Sequence, residues 1–237
     1  MTFIKGKHSI HEALMANAGI HYIAISKESE QSAERVLNLA RQKKVAVNVL
    51  SRREFQQRFR LTENQQIIAK MAPLKTINLK EFLAHNNDEP VLVCDHLEDP
   101  YNFGAIMRSC EGFGVKNIIF AKNRQAQLND GVIKASSGAV YYLNLIEVAN
   151  IANAIEELKR NNYWIYGADS NEGKNLNTIQ VAEPFALVVG NEHKGVSKRI
   201  SNLLDVRLSI PMQGKVDSFN VSVATAITLF QLTKSST

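Results

Sequence analysis

The stretch "DPYNFGAIMRSCEGFGV" (residues 99–115) decides which fold the chain takes. An apolar run, "VLVCDHL" (91–97), precedes it, and another, "KNIIFA" (116–121), follows. A dinucleotide fingerprint needs a glycine turn directly after a strand, with the spaced glycines opening the helix. Here Gly104 stands alone near the helix start, while Gly112 and Gly114 sit at the other end. Glycines placed there fit a helix C-cap and the turn out of it. No GxxxxGK[ST] phosphate loop occurs anywhere, and "GNEHKGVS" (190–197) is not one. Position therefore excludes the common nucleotide folds. Phe103, Ile106, Met107 and Cys110 recur at i, i+3, i+4 and i+7 and form the buried stripe of a helix. Arg108 lies about 150° from the centre of that stripe, at roughly 100° per residue. It stands over Gly104, Ala105 and Gly112, so its guanidinium projects back toward the helix amino terminus across nearly bare backbone. Asn102 is placed to cap the first turn, whose free N–H groups attract anions. An arginine there suits a phosphate; the plainer alternative is a surface arginine.

Working outward, short apolar runs alternate with amphipathic helical patterns on both sides. Before the stretch, "SIHEALMAN" (9–17), "SAERVLNLARQKK" (32–44) and "SRREFQQRF" (51–59) read as helices. "HYIAIS" (21–26), "VAVNVL" (45–50) and "QQIIAKM" (65–71) read as strands, which makes a compact α/β unit. "LKTINLKEFLAHNNDEP" (74–90) is polar and reads as a connector with a short helix in its middle. Beyond the stretch, "NDGVIKASSG" (129–138) is helical or irregular and "IANAIEELKRNN" (151–162) is a helix. "YYLNLIEV" (141–148), "YWIYGADS" (163–170), "FALVVG" (185–190) and "VRLSIP" (206–211) are strands. This pattern predicts a mostly parallel sheet covered on both faces. The expected division is 1–74, a linker over 75–89, and a second domain over 90–237. "NVSVATAITLFQL" (220–232) stays open on periodicity. Val221, Val223, Thr225, Ile227 and Leu229 alternate as a strand would, whereas Val223, Ile227 and Phe230 fit one helical stripe.

The charge is unevenly divided. Residues 1–74 hold 12 Lys+Arg against 6 Asp+Glu, a balance of +6, and the remainder hold 16 against 17, a balance of −1, together the stated +5. Clusters such as "RQKK" (41–44) and "SRREFQQRFR" (51–60) are either solvated helix faces or a footprint for a polyanion, and the asymmetry favours the polyanion. Scattered charges in "MTFIKGKHSIHEAL" argue against a signal peptide, and no apolar run approaches the roughly 20 residues that span a bilayer. Cys94 and Cys110 fall on apolar faces and are expected as buried, reduced thiols of a cytoplasmic protein. The histidines show no HExxH spacing and the cysteines no CxxC pair, so no metal site is expected. His96 and His193 are read as loop or core histidines rather than catalysts.

Three stretches read together, "DPYNFGAIMRS" (99–109), "ALVVGNEHKG" (186–195) and "LSIPMQGKVDSFNVSVATAITLF" (208–230), resemble in order and spacing the three motifs of SpoU-type RNA ribose 2'-O-methyltransferases of the SPOUT superfamily. "GKHSIHEAL" (6–14), "QQIIA" (65–69) and "AQLN" (126–129) further resemble the bacterial guanosine-2'-O-methyltransferases of 23S ribosomal RNA. The resemblance implies an α/β fold whose carboxyl-terminal SPOUT domain has a parallel sheet with a deep trefoil knot. A small α/β/α RNA-binding domain would precede it. It also implies S-adenosyl-L-methionine as cofactor, ribosomal RNA as partner, and a homodimer with active sites near the interface. On these grounds "NVSVATAITLF" becomes a helix. Carried over by motif, Asn102 and Arg108 are the polar pair of the first motif, and Glu192 belongs to the second with Gly190 beside the cofactor. Ile210 and Phe219 would line the cofactor, while Ser218 and Asn220 face the reaction site. Phe219 stands where leucine is commoner, which a backbone contact tolerates.

The family's usual proposal makes Arg108 the base, yet guanidinium in proteins stays protonated. The expectation here is that Arg108 grips phosphate and polarises the 2'-hydroxyl, with the proton lost late or to solvent. Glu192 either orders the loop around the cofactor or caps a tight turn, and Asn220 either meets the ribose or caps a helix. Three alternatives are a transfer-RNA ribose methyltransferase, an RNA-binding assembly factor without catalysis, and, more distantly, a nicotinamide dehydrogenase. Retention of Asn102, Arg108, Glu192 and Asn220 speaks against the assembly factor.

Overall fold

A computed structural model describes residues 2–59, 65–85, 88–168, 173–191 and 194–234. The chain begins with Thr2–Lys5 (β1), Lys7–Met15 (α1), Ile20–Ser26 (β2), Glu34–Gln42 (α2) and Ala46–Leu50 (β3). Arg52–Phe59 (α3), Ile67–Met71 (β4), Leu79–His85 (α4), Val91–Cys94 (β5) and Pro100–Gly112 (α5) follow. Next come Asn117–Ala121 (β6), Asp130–Ala135 (α6), Asn144–Val148 (β7), Ile151–Arg160 (α7) and Trp164–Ala168 (β8). Lys174–Asn175 (β9), Phe185–Val189 (β10), Lys198–Ser201 (α8), Val206–Ser209 (β11) and Val221–Lys234 (α9) complete the order. These elements form two compact units: Met1–Leu74 with Leu128–Tyr141, and Lys75–Gln127 with Tyr142–Thr237.

The first unit holds a four-stranded sheet in the order β1-β4-β2-β3, in which only β2 and β3 run parallel. α3 opens with a capping box: Ser51 Oγ accepts from the Glu54 N–H at 3.3 Å, and the Glu54 carboxylate takes the Ser51 N–H at 2.9 Å. The Ser51 hydroxyl, donating to the carboxylate at 2.6 Å, and then the Ser51 N–H hold the Glu54 carboxyl below the usual carboxylate range. The segment 128–141 returns to this unit. The Lys5 N–H donates to Asp130 at the start of α6 at 3.1 Å, and the Tyr141 hydroxyl to the Met71 sulfur at 3.4 Å. The sequence reading assigned it to the second domain, because nothing in "NDGVIKASSG" says which sheet it will meet.

The second unit holds seven strands, all parallel, in the order β7-β6-β5-β10-β8-β11-β9. β5, β6 and β10 are buried along their whole length, which is why they read as unbroken apolar runs. Val91 and Val93 point to a core shared with Phe82 of α4 and with Ile155 and Leu158 of α7. On alternation Leu92 and Cys94 point to the other face, where Phe103 of α5 meets Phe120 with ring centroids 5.7 Å apart. The stripe Phe103, Ile106, Met107 and Cys110 is fully buried. Both cysteines are buried and free, and burial pushes the Cys110 thiol up, so it stays protonated at neutral pH.

α5 also packs against α9, so two apolar helices share that face of the sheet. The ambiguous carboxyl-terminal segment is therefore a helix. Its core-facing residues are Thr225, Thr228, Leu229 and Leu232 rather than the stripe Val223, Ile227 and Phe230. Thr225 and Thr228 donate their hydroxyls to the carbonyls of Val221 and Ala224 at 2.6 and 2.8 Å, which lets hydroxyl-bearing residues sit in the core.

The segment 75–89, expected as a linker, is integrated into the second unit. Ile77 bridges to Ile146, and Phe82 and Leu83 of α4 are buried in the core. We expect Phe82→Ala to destabilise this unit by about 3–5 kcal/mol, the usual cost of emptying a core phenylalanine site. Trp164, the chain's one tryptophan, lies in this unit and reports its urea unfolding. An unmoved midpoint would mean that 75–89 is a loose tether after all.

Candidate active site

In an open parallel sheet the crevice outside the carboxyl ends of the strands, where the strand order reverses, is the natural ligand site. Here β10 is inserted between β5 and β8, so the ends of β8, β10 and β11 gather beside the start of α9. A cavity of ≈ 200 Å³ opens there. Val189, Leu208, Ile210, Met212 and Phe219 give it apolar walls, and Asn191, Asp217, Ser218 and Thr225 give it polar ones. It therefore brings together four residues expected from sequence, Gly190, Ile210, Ser218 and Phe219.

Gly190 is there because nothing larger fits. A Cβ on it would lie 2.0 Å from the Gly195 carbonyl carbon and 2.2 Å from the Val196 nitrogen, backbone against backbone. The loop folds back on itself at that point. Asn191 and Gly195 exchange both backbone hydrogen bonds, at 3.0 and 2.9 Å, with Gly195 at φ +65. Glu192 and His193 lie outside the described residues.

A buried carboxylate holds the loop in place. Asp95, 2 % exposed at the end of β5, accepts the Ser197 N–H at 2.9 Å and faces His96 Nδ1 at 2.7 Å. The Asn191 amide donates to the His96 carbonyl at 3.0 Å, so both arms of the loop are tied to the turn after β5. Sequence reasoning passed over Asp95, Asn191 and Ser197. The only signal was an aspartate ending a strand that is otherwise wholly apolar, and its partner lies 102 positions away. His96, read as a loop histidine, is half-buried against Asp95.

The start of α5 differs from expectation. Asp99, not Asn102, is the N-cap, accepting the Tyr101 N–H at 2.9 Å with Pro100 as first helical residue. Asn102 lies one turn in, and its side-chain oxygen accepts from the Asn220 amide at 3.1 Å. Of the two roles left open for Asn220 the structure shows the cap: its Oδ1 takes the Ser222 N–H at 2.9 Å at the head of α9, while its amide reaches Asn102. The cap fixes which way round that amide lies. Gly104, expected bare on the outer side, is buried inside the helix. Gly114, at φ +77, ends it as expected, its N–H on the Glu111 carbonyl at 3.1 Å. Arg108 is exposed, on the helix that carries Asn102. Among the described residues no group of three or more His, Cys, Asp or Glu could hold a metal ion.

Residues 89–230 match the SpoU rRNA methylase family, and residues 3–77 match the family described as RNA 2'-O ribose methyltransferase substrate binding. A protein of Staphylococcus aureus (strain COL), named for the TrmH family of tRNA/rRNA methyltransferases, is 32% identical over 98% of this chain and 95% of its own length. The fold resembles the SpoU methyltransferase AviRb from Streptomyces viridochromogenes in complex with AdoMet. That likeness has a TM-score of 0.80 at 19% identity, over 98% of this chain and 89% of the other. It also resembles an AdoMet-bound rRNA methyltransferase from Sinorhizobium meliloti, with a TM-score of 0.79 at 19% identity, over 98% and 87%.

The tie between Asp95 and Ser197 makes a measurable claim. In Asp95→Ala, amide exchange at Gly195 and Ser197 should accelerate by roughly ten- to a hundredfold, since an unpaired buried donor costs about 1–3 kcal/mol. Protection that survives the substitution would show that the loop closes without the carboxylate.

Proposed function

The chain belongs to the SpoU rRNA methylase family, and from that premise we propose that it transfers a methyl group from S-adenosyl-L-methionine to a ribose 2'-hydroxyl, with a guanosine of 23S ribosomal RNA as target. The observation that carries this reading is the cavity between Gly190 and Phe219, with the Asn102–Asn220 pair tying α9 to the helix that bears Arg108. The cavity suits the cofactor. Apolar Leu208, Ile210 and Phe219 match a flat purine, and the Asp217 carboxylate on the same wall matches a cationic sulfonium and ammonium. The loop closed at Gly190 supplies another part of the lining.

When bound, the cofactor supplies a methyl group already activated by its positive sulfur. The chain's own work is then to position the acceptor and weaken its O–H bond. Ile210 and Phe219 hold the cofactor and exclude water, and Gly190 lets the main chain approach it. Ser218 and Asn220 face the acceptor. Arg108 grips an adjacent phosphate bidentately and polarises the hydroxyl, with the proton lost late or to solvent. Glu192 keeps its place in this reading through the resemblance alone.

The balance of +6 over residues 1–74 supports an RNA substrate and, with it, a cytoplasmic protein. Among the described residues no helix is long and apolar enough to cross a membrane. The trefoil knot belongs to the same reading. Its support is the insertion of β10 between β5 and β8 and of β11 between β8 and β9, before α9 returns against β8 and β10. So does the homodimer. α9 carries one charge in 14 residues, yet Val223 and Phe230, on the stripe facing away from the core, are 44% and 54% exposed. A helix apolar on all sides is normally covered on all sides.

Three experiments test these claims. Purified protein with labelled cofactor is expected to label an unmodified transcript of 23S ribosomal RNA; label in transfer RNA would overturn the ribosomal target, and label in neither would overturn catalysis. Arg108→Ala should lower kcat by at least about 100-fold, the usual loss for one electrostatic group, with cofactor affinity retained. Arg108→Lys should keep the wild-type pH–rate slope at lower amplitude, whereas a bell-shaped profile would mean that a side chain takes the proton. For the dimer, sedimentation should find wild type as two copies and Phe230→Glu as one; a monomeric wild type refutes it.

A further inference from the structure

The parallel sheet sends every strand end in the second unit to one edge, and the cavity occupies only part of it. Beside it lies a larger groove of ≈ 710 Å³, formed by the turn after β5, the turn after β6, the start of α7, and residues 194–200. Arg124, Lys194, Lys198 and Arg199 line it, and all four are exposed. None of them enters an ion pair among the described residues, whose pairs include His11–Glu12, His96–Asp95, Lys159–Asp205 and Arg160–Glu157. Among the described residues two carboxylates share the lining. Asp95 is buried and its oxygens are spent on Ser197 and His96, which leaves Glu98 as the exposed one.

Resting on the reading that the chain methylates RNA, we propose that this groove is a track for the phosphodiester backbone of the substrate next to the target nucleotide. The charge is local rather than average: residues 75–237 balance at −1, yet four cations converge on one concave wall. Like charges so gathered repel one another until a polyanion neutralises them, and a concave, low-dielectric wall focuses their field. The cations come from separate segments, at 124, 194 and 198–199, which suits successive phosphates along a strand better than one small anion. Among the described residues no Phe, Tyr or Trp lines the groove, so its lining suits backbone contact better than a stacking platform for bases. It sets register without reading sequence.

The groove and the cavity also share a wall. Asn191 and Gly195 line both, so the loop closed at Gly190 and tied to Asp95 faces one space on each side. A backbone lying in the groove is thereby one loop away from the methyl donor. The inference gives the catalytic unit its own RNA contact, separate from the basic first unit.

The test is the triple variant Arg124→Gln, Lys198→Gln, Arg199→Gln, whose positions do not line the cavity. Binding to an unmodified 23S ribosomal RNA transcript is measured across a KCl series. The slope of log affinity against log salt should fall by about two to three, roughly one for each phosphate no longer neutralised. KM for the transcript should rise at least about tenfold, since phosphate contacts carry most of the affinity. Cofactor affinity, measured by calorimetry without RNA, should not move. A variant with wild-type slope and KM overturns the groove while leaving the methyltransferase reading intact. A wild type that methylates no RNA overturns that reading instead, and the salt slope then decides the groove alone.

Discussion

The backbone of Gly190 passes so close to that of Gly195 and Val196 that one methyl group would collide with it. The rest of the site depends on that crossing. It lets the chain leave β10, turn within a few residues, and come back with Asn191 and Gly195 bonded across the turn. The returning arm can then place the Ser197 N–H on Asp95. The two arms of the loop are stiff because Asn191, Gly195 and Ser197 spend polar groups on partners within this chain, and a carboxylate with 2 % exposure gains more from those bonds than it would in water.

Stiffness at this place has a use. Methyl transfer from an activated donor asks little covalent chemistry of the protein and much geometry. The closed loop supplies one wall of the cavity, and the head of α9 supplies the other through Ser218, Phe219 and Val221. The Asn102–Asn220 bond fastens that head to α5, whose buried stripe seats it on the sheet. The positions of Arg108 and of the cavity wall are thus coupled through the same two helices, with Phe113 and Phe230 in ring contact at 5.9 Å near their other ends.

What the chain's order of residues disclosed, and what it hid, divides along physical lines. The stripe Phe103, Ile106, Met107 and Cys110 was legible because a helix on a sheet buries one face and repeats it every 3.6 residues. The strands β5, β6 and β10 were legible because a doubly covered sheet needs unbroken apolar runs. α9 was not, since it is apolar on two faces: one meets its own core, and the other carries Val223 and Phe230 outward. Two overlapping stripes cancel the periodicity that would have told helix from strand. Asn102 was misread as a cap because Asp99, Asn102 and Pro100 all fit a helix start. Backbone dihedrals chose Asp99 and released Asn102 for Asn220.

Local spacing by itself determined the parallel α/β unit, the helix bearing Arg108 and the basic first third, and the three motifs in order pointed to the chemistry. Only the tertiary structure decided that 75–89 is core and that 128–141 packs with the first unit. It alone revealed that Asp95 holds Ser197 and that Arg124 shares a groove with Arg199. The reason is range. Periodicity and capping record forces between residues a few positions apart, whereas these partners lie tens to 125 positions apart. What joins them is the order in which β10 and β11 enter a sheet already begun, and no neighbouring residue carries that information.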